Sequence, residues 1–175
     1  ATSYAACDFP NGTDTTFNWW QGPGTGKITF SSAAPVDANG NPEYPIKLIE
    51  PLHVALHFNN QEAVLSNIAA SIKLYSYGGF AGCSWSEVYT FGLLDRRIFV
   101  QNGASDNLDA CALGIVACPV QLGDQDGLAT LDFTKYSVII GLLKNDSPYQ
   151  LQLTLTDKNT GHYVTVVSQA RALTQ

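Results

Sequence analysis

Apolar and polar positions alternate with a period of two along most of this chain. In the stretch 52–58, Leu52, Val54, Leu56 and Phe58 fall on one side, with His53, Ala55 and His57 on the other. Ile72 and Leu74 alternate with Lys73, Tyr75 and Tyr77. Tyr149, Leu151, Leu153 and Leu155 alternate with Gln150, Gln152, Thr154 and Thr156, while His162, Val164 and Val166 oppose Tyr163, Thr165 and Val167. Successive side chains of a strand point to opposite faces, so each run reads as a half-buried strand. Shorter candidates lie at 27–30, 87–91, 97–100 and 128–133.

Turn residues punctuate these runs. Residues 157–161 (Asp-Lys-Asn-Thr-Gly) join two strong strands and predict a hairpin. Breaks are also expected at 22–24, 37–45, 78–79 and 124–127, where Gly, Pro, Asn and Asp cluster. No dozen residues show a helical period. The stretch 101–117 is the least strand-like and has room for a short helical turn. Six to nine short strands with frequent turns predict an all-β chain: one domain over residues 1–175, an antiparallel sandwich or barrel, with residues 1–16 as an N-terminal extension.

Composition narrows the function. The chain has 175 residues, of which 45% are hydrophobic and 14% charged, and its formal net charge is -6. That balance excludes a disordered chain. It also argues against nucleic acid or an anionic membrane surface as an electrostatically attracted partner, since both call for a basic face. No apolar run approaches the roughly 20 residues of a membrane span, so no stable membrane insertion is expected. Methionine is absent and the first residue is Ala1, which is the expectation for a processed chain whose secretory signal has been removed. The four cysteines then suggest two disulfides, with three possible connectivities. Cys111 and Cys118 are near neighbours in sequence, and elimination leaves Cys7 with Cys83. Asn11-Gly12-Thr13 is a glycosylation acceptor sequence, and Asn145-Asp146-Ser147 is a second, weakened by Pro148.

Catalytic chemistry finds little support. His53 and His57 are four apart on a strand, a separation of about 13 Å, too far to share a metal. No nucleophile elbow and no phosphate-binding glycine loop occurs. Gly22, Gly24 and Gly26 follow an aromatic pair rather than a buried strand. Asp124 and Asp126 lack the remaining ligands of a calcium loop. Neither catalytic residues, metal nor cofactor is expected.

The apolar inventory says more. Val54, Leu56, Phe58, Ile72, Leu74, Leu151, Leu153, Leu155, Val164 and Val166 dominate the inward faces, with Phe91 and Phe99 in addition. They either fill a core or line a cavity between splayed sheets, because both demand the same side chains. Aromatics beside loops (Phe80, Trp85, Phe91, Phe99 and Tyr136) suggest a mouth. Arg96 and Arg97 form the one paired basic cluster, either a solvated turn or a rim that meets a ligand headgroup. The nearly charge-free stretch 107–121, with Leu113 and Ile115 at its tip, is either that mouth or a plug on the core.

The order of several short motifs resembles the ML (lipid-recognition) family, which includes the ganglioside-activator and Niemann–Pick type C cholesterol-carrier proteins. Cys118-Pro119-Val120 with Gly123 and Tyr136-Ser137-Val138, Pro148 through Leu153 leading to Asp157-Lys158-Asn159, Phe17-Asn18-Trp19-Trp20 and Tyr44-Pro45-Ile46 carry the resemblance over roughly residues 17–170. Cys111 with Cys118 resembles the family's short bridge. The family's second bridge has no counterpart, since neither Gln21-Gly22 nor Tyr163-Val164 includes a cysteine. The resemblance implies an immunoglobulin-like two-sheet sandwich that holds lipid between its sheets without catalytic residues.

Two functions follow. One is a secreted or lysosomal carrier of an apolar ligand such as a fatty acid, sterol, other lipid or carotenoid. The other is an extracellular sandwich with a filled core that binds a protein partner through its loops. Exposed Tyr and apolar loops leave room for a homodimer in either case.

Overall fold

The computed structural model describes residues 6–79, 82–88 and 108–175. Among these residues ten strands run in the order β1 (Asn18–Gln21), β2 (Ile28–Val36), β3 (Ile46–Lys47), β4 (Leu52–Asn60), β5 (Ile68–Tyr77), β6 (Trp85–Glu87), β7 (Leu108–Asp109), β8 (Gly123–Leu131), β9 (Ser147–Asp157) and β10 (Tyr163–Leu173). A short helix, α1 (Ser137–Leu142), follows a 3-10 turn at Thr134–Tyr136. The larger sheet has the path β1-β10-β9-β5-β6, with β3 beside β10 and β7 beside β5; the smaller has the order β2-β4-β8. The chain is therefore an all-β sandwich. Every pairing is antiparallel except the short β3–β10 contact, which is parallel.

The alternating runs form the strands that their pattern predicts. In β4 and β8, Leu52, Val54, Leu56 and Phe58 stand opposite Leu131, Ala129, Gly127 and Gln125 on the inner face. In the larger sheet, Ile72 and Leu74 pair with Leu153 and Leu151, which pair in turn with Val166 and Ser168. The 157–161 hairpin is organised by Asp157. Its carboxylate accepts from the Asn159 amide (3.0 Å) and the Thr160 hydroxyl (3.1 Å), and its carbonyl accepts from the Gly161 amide (2.7 Å).

Four local expectations change. The break expected at 124–127 is instead the start of β8. Gly and Asp are poor strand formers, yet here they lie beside β4, and their outward carboxylates meet polar partners across the ladder: Asn59 Nδ2 donates to Asp124 Oδ1 at 2.8 Å, and His57 Nδ1 lies 2.7 Å from Asp126 Oδ1. The strand expected at 27–30 runs on to Val36; Pro35 is tolerated because β2 is an edge strand. The only α-helix of the described residues lies at 137–142, outside the 101–117 stretch. Finally, Val167 faces away from the sandwich interior yet is buried.

The larger sheet's outer face carries the N-terminal segment. Asn11 Nδ2 donates to Gln169 Oε1 at 2.9 Å, the Arg171 guanidinium lies 5.3 Å from the Phe9 ring centre, and the Arg171 amide donates to the Tyr44 hydroxyl, which donates to Thr13 O. The disulfides are Cys7–Cys83 and Cys111–Cys118, and no described cysteine is free. The first ties this segment to the β5–β6 connection.

Candidate ligand-binding cavity

The two inner faces do not fill the space between them. Where β4 ends and the β9–β10 hairpin turns, a cavity of about 200 Å³ opens. Ile28 and Phe30 of β2, Leu56 and Phe58 of β4, Leu155 of β9 and Val164 of β10 wall it. Phe30 and Phe58 lie with ring centres 5.6 Å apart, and Val116, Pro119 and Val120 complete one side.

Two narrower spaces continue inward, of about 40 and 30 Å³. The middle one shares Phe30, Leu56, Val116 and Leu155 with the outer cavity, and Phe17, Val54, Leu151 and Ser168 with the innermost. The three spaces therefore follow the strand direction. Along β4, Phe58, Leu56, Val54 and Leu52 step from the outside inward, a span of about 20 Å for six residues.

Glycine permits two close approaches at this end. A side chain on Gly24 would place its Cβ 2.5 Å from the Tyr163 carbonyl oxygen, so only glycine lets the β1–β2 connection lie on β10, where the Thr25 and Gly26 amides donate to that oxygen. Gly127 accommodates the Phe58 ring.

The outer cavity has a polar rim. Glu62, from the β4–β5 connection, accepts from the Lys27 amide (2.8 Å) and pairs with His162 of the hairpin. Its side chain is only 9% exposed, and the His162 contact together with the Lys27 N–H holds its carboxyl below the usual range. Gln121, Gln125, Asp126 and Asp157 complete the polar lining. On the outer face of the small sheet, Asp126 raises the pKa of His57 by hydrogen bonding, and His53 Nδ1 lies 3.1 Å from the Thr130 hydroxyl. Among the described residues no three His, Cys, Asp or Glu are placed to hold a metal ion.

Of the residues expected on an apolar cavity, Val54, Leu56, Phe58, Leu151, Leu153, Leu155, Val164 and Val166 line one or more of these spaces, and Leu74 lines the innermost. Ile72 is buried in the packed core instead, on none of them. Trp85 lies 5.0 Å from Tyr77 in ring centres, at the end of β5 remote from Ile68 and the outer cavity. Leu113 is exposed, whereas Ile115 is buried. The Ile115 carbonyl accepts from the Thr130 amide of β8, and the Ala110 amide donates to Ile68 O of β5. The disulfide-closed loop thus plugs the gap between one edge of each sheet, because those edges carry unpaired backbone groups that it satisfies. Phe80, Phe91, Arg96, Arg97 and Phe99 lie outside the described residues. Asn11 is exposed, with its amide engaged by Gln169, and the Thr13 hydroxyl of the same triplet is buried against Pro10 O.

Sequence reasoning missed Phe17, Phe30, Val116 and Ser168 as lining residues. Val116 had a signal in the charge-free loop; Ser168 had none, since it continues the inward register of Val164 and Val166 as a polar residue.

The fold defines a class, the two-sheet all-β sandwich, here with an opening between its sheets. No model of a known protein family matches the sequence, and no curated protein matches it. Among solved structures, a Niemann-Pick type C2 protein from Japanese carpenter ant is similar at 12% identity and a TM-score of 0.47, over 89% of this chain and 98% of that one. The C-terminal domain of wzt is similar at 11% identity and a TM-score of 0.37, over 89% of this chain and 73% of that one. At these values neither neighbour bears on what this chain binds.

Proposed function

We propose that this protein is a non-catalytic carrier that shelters a single apolar chain between its sheets. The cavity of about 200 Å³, continued inward by two apolar spaces, carries the reading. An apolar void lined by Leu, Ile and Phe stays dry and takes up apolar guests, and each buried methylene contributes about 0.8 kcal/mol before ordering costs. The narrow, strand-parallel arrangement suits an extended chain better than a fused-ring sterol. Rotation of Phe30 and Leu56, which partition the outer and middle spaces, would join them. Among the described residues the rim carries the carboxylates of Glu62, paired with His162, and of Asp157, engaged by its own hairpin, a balance that suits an uncharged head better than a carboxylate. The order of ML-like motifs supports the same reading. Two disulfides fit an oxidising compartment, extracellular or lysosomal, and among the described residues no helix is long and apolar enough to cross a membrane.

Native mass spectrometry tests this. The purified protein should retain an apolar adduct and, once stripped with organic solvent, rebind one equivalent of a sixteen-carbon primary alcohol. Failure to bind such a chain at any accessible concentration would overturn the reading.

A further inference from the structure

The inner spaces hold one polar feature that packing does not explain. Ser168 of β10 lies at the junction of the middle and innermost spaces and lines both. Its neighbours there are Val54, Leu151 and Phe17, all apolar. The other hydroxyl on these walls among the described residues, that of Tyr149, donates to Lys144 O at 2.6 Å and is pushed up to about 12 by burial. The Ser168 hydroxyl makes no hydrogen bond to any described group. The hydroxyl of the half-buried Ser168 is open to these spaces and meets apolar walls there, so no protein group rewards its presence, and an alanine or valine would continue the inward series of Val164 and Val166 at least as well.

We infer that Ser168 reads an oxygen function on the ligand, so that the chain taken up carries a second polar group, a hydroxyl or carbonyl, well away from its head. This rests on the carrier reading above. Position sets the spacing. Ser168 is four residues beyond Val164, which lines the outer cavity, an advance of about 13 Å along the strand. An extended chain with bonds of about 1.5 Å advances about 1.3 Å per carbon, so the second oxygen belongs roughly ten carbons from the head. The Ser168 hydroxyl both donates and accepts, so either function satisfies it.

Three sixteen-carbon probes test this against the wild type, Ser168→Ala and Ser168→Val: the plain primary alcohol, its 1,11-diol and its 1,5-diol. The wild type should favour the 1,11-diol over the 1,5-diol, and that preference should fall roughly 3- to 10-fold in both variants. Affinity for the plain alcohol should be unchanged or higher in the variants, and their melting temperatures should not fall. A diol preference that is the same in wild type and variants overturns the inference while leaving the carrier reading intact. A clear loss of stability in Ser168→Ala also overturns it, because the hydroxyl then has a partner within the protein. Failure of all three probes to bind the wild type removes the carrier reading and this inference with it.

Discussion

Gly127 of β8 sits where a Cβ would lie 3.0 Å from Cε1 of Phe58, diagonally across the ladder on the inner face. The absent side chain therefore fixes where the Phe58 ring lies and how wide the outer cavity is. Gly127→Ala should push the ring toward Phe30 and narrow the opening. Affinity for a sixteen-carbon alcohol should drop several-fold, read by titration, while the melting temperature moves little, because the strand gains from losing a glycine about what the contact costs.

Truncations should separate cavity from core. Ile72 is buried in the packed core and lines none of the three spaces, so Ile72→Ala should cost about 2–5 kcal/mol in denaturant unfolding. Phe58 faces open space on one side and has fewer contacts to lose. Phe58→Ala should fall below that range and enlarge the site, and equal costs at the two positions would show that the space is filled in solution.

The loop closed by Cys111–Cys118 gives an asymmetric pair. Ile115→Asp places a carboxylate in the core and should destabilise by several kcal/mol or prevent folding. Leu113→Asp, on an exposed position two residues earlier, should stay within about 0.5 kcal/mol of the parent. Thermal unfolding of the two single variants decides it.

The Glu62–His162 contact bears on acid stability. The folded pKa of Glu62 lies below its usual 4.5, so its contribution is fully present above that pH and is lost as pH falls through the lower folded value. His57 behaves in the opposite sense. Its folded pKa is above 6.5, so its contribution is present below 6.5 and lost as pH rises through the raised value. Melting temperature measured against pH should therefore fall less steeply below 4.5 in Glu62→Gln than in the parent, and less steeply above 6.5 in His57→Asn.

Removing a bridge should test how the N-terminal segment is held. Cys7 and Cys83 are 76 residues apart, and chain entropy assigns a loop of that length about 4.5 kcal/mol, against about 2.5 for the short bridge. The Cys7→Ser, Cys83→Ser double variant should lose more stability than the Cys111→Ser, Cys118→Ser variant, and its Asn11 amide should exchange faster with solvent.

The strands with clean alternation and the two disulfides were legible in the sequence, because both rest on local information: side-chain period, turn residues and the count and spacing of cysteines. Leu52 through Phe58, the alternating runs 149–156 and 162–167 and the hairpin between them needed nothing else, whereas the continuation of β10 to Leu173 came from its pairing with β9 and β1. Tertiary structure decided what depends on a partner distant in the chain. Gly123 through Gly127 is a strand only because β4 supplies the ladder and His57 and Asn59 meet its carboxylates. Ile115 became a plug rather than a mouth because the edges of β5 and β8 offered unpaired backbone groups. A filled core and a cavity demand the same alternating side chains, so no pattern along one strand distinguishes them. The opening beside Phe58, and the unpartnered Ser168 hydroxyl deeper in, exist only in the distance between two sheets whose strands are interleaved along the chain.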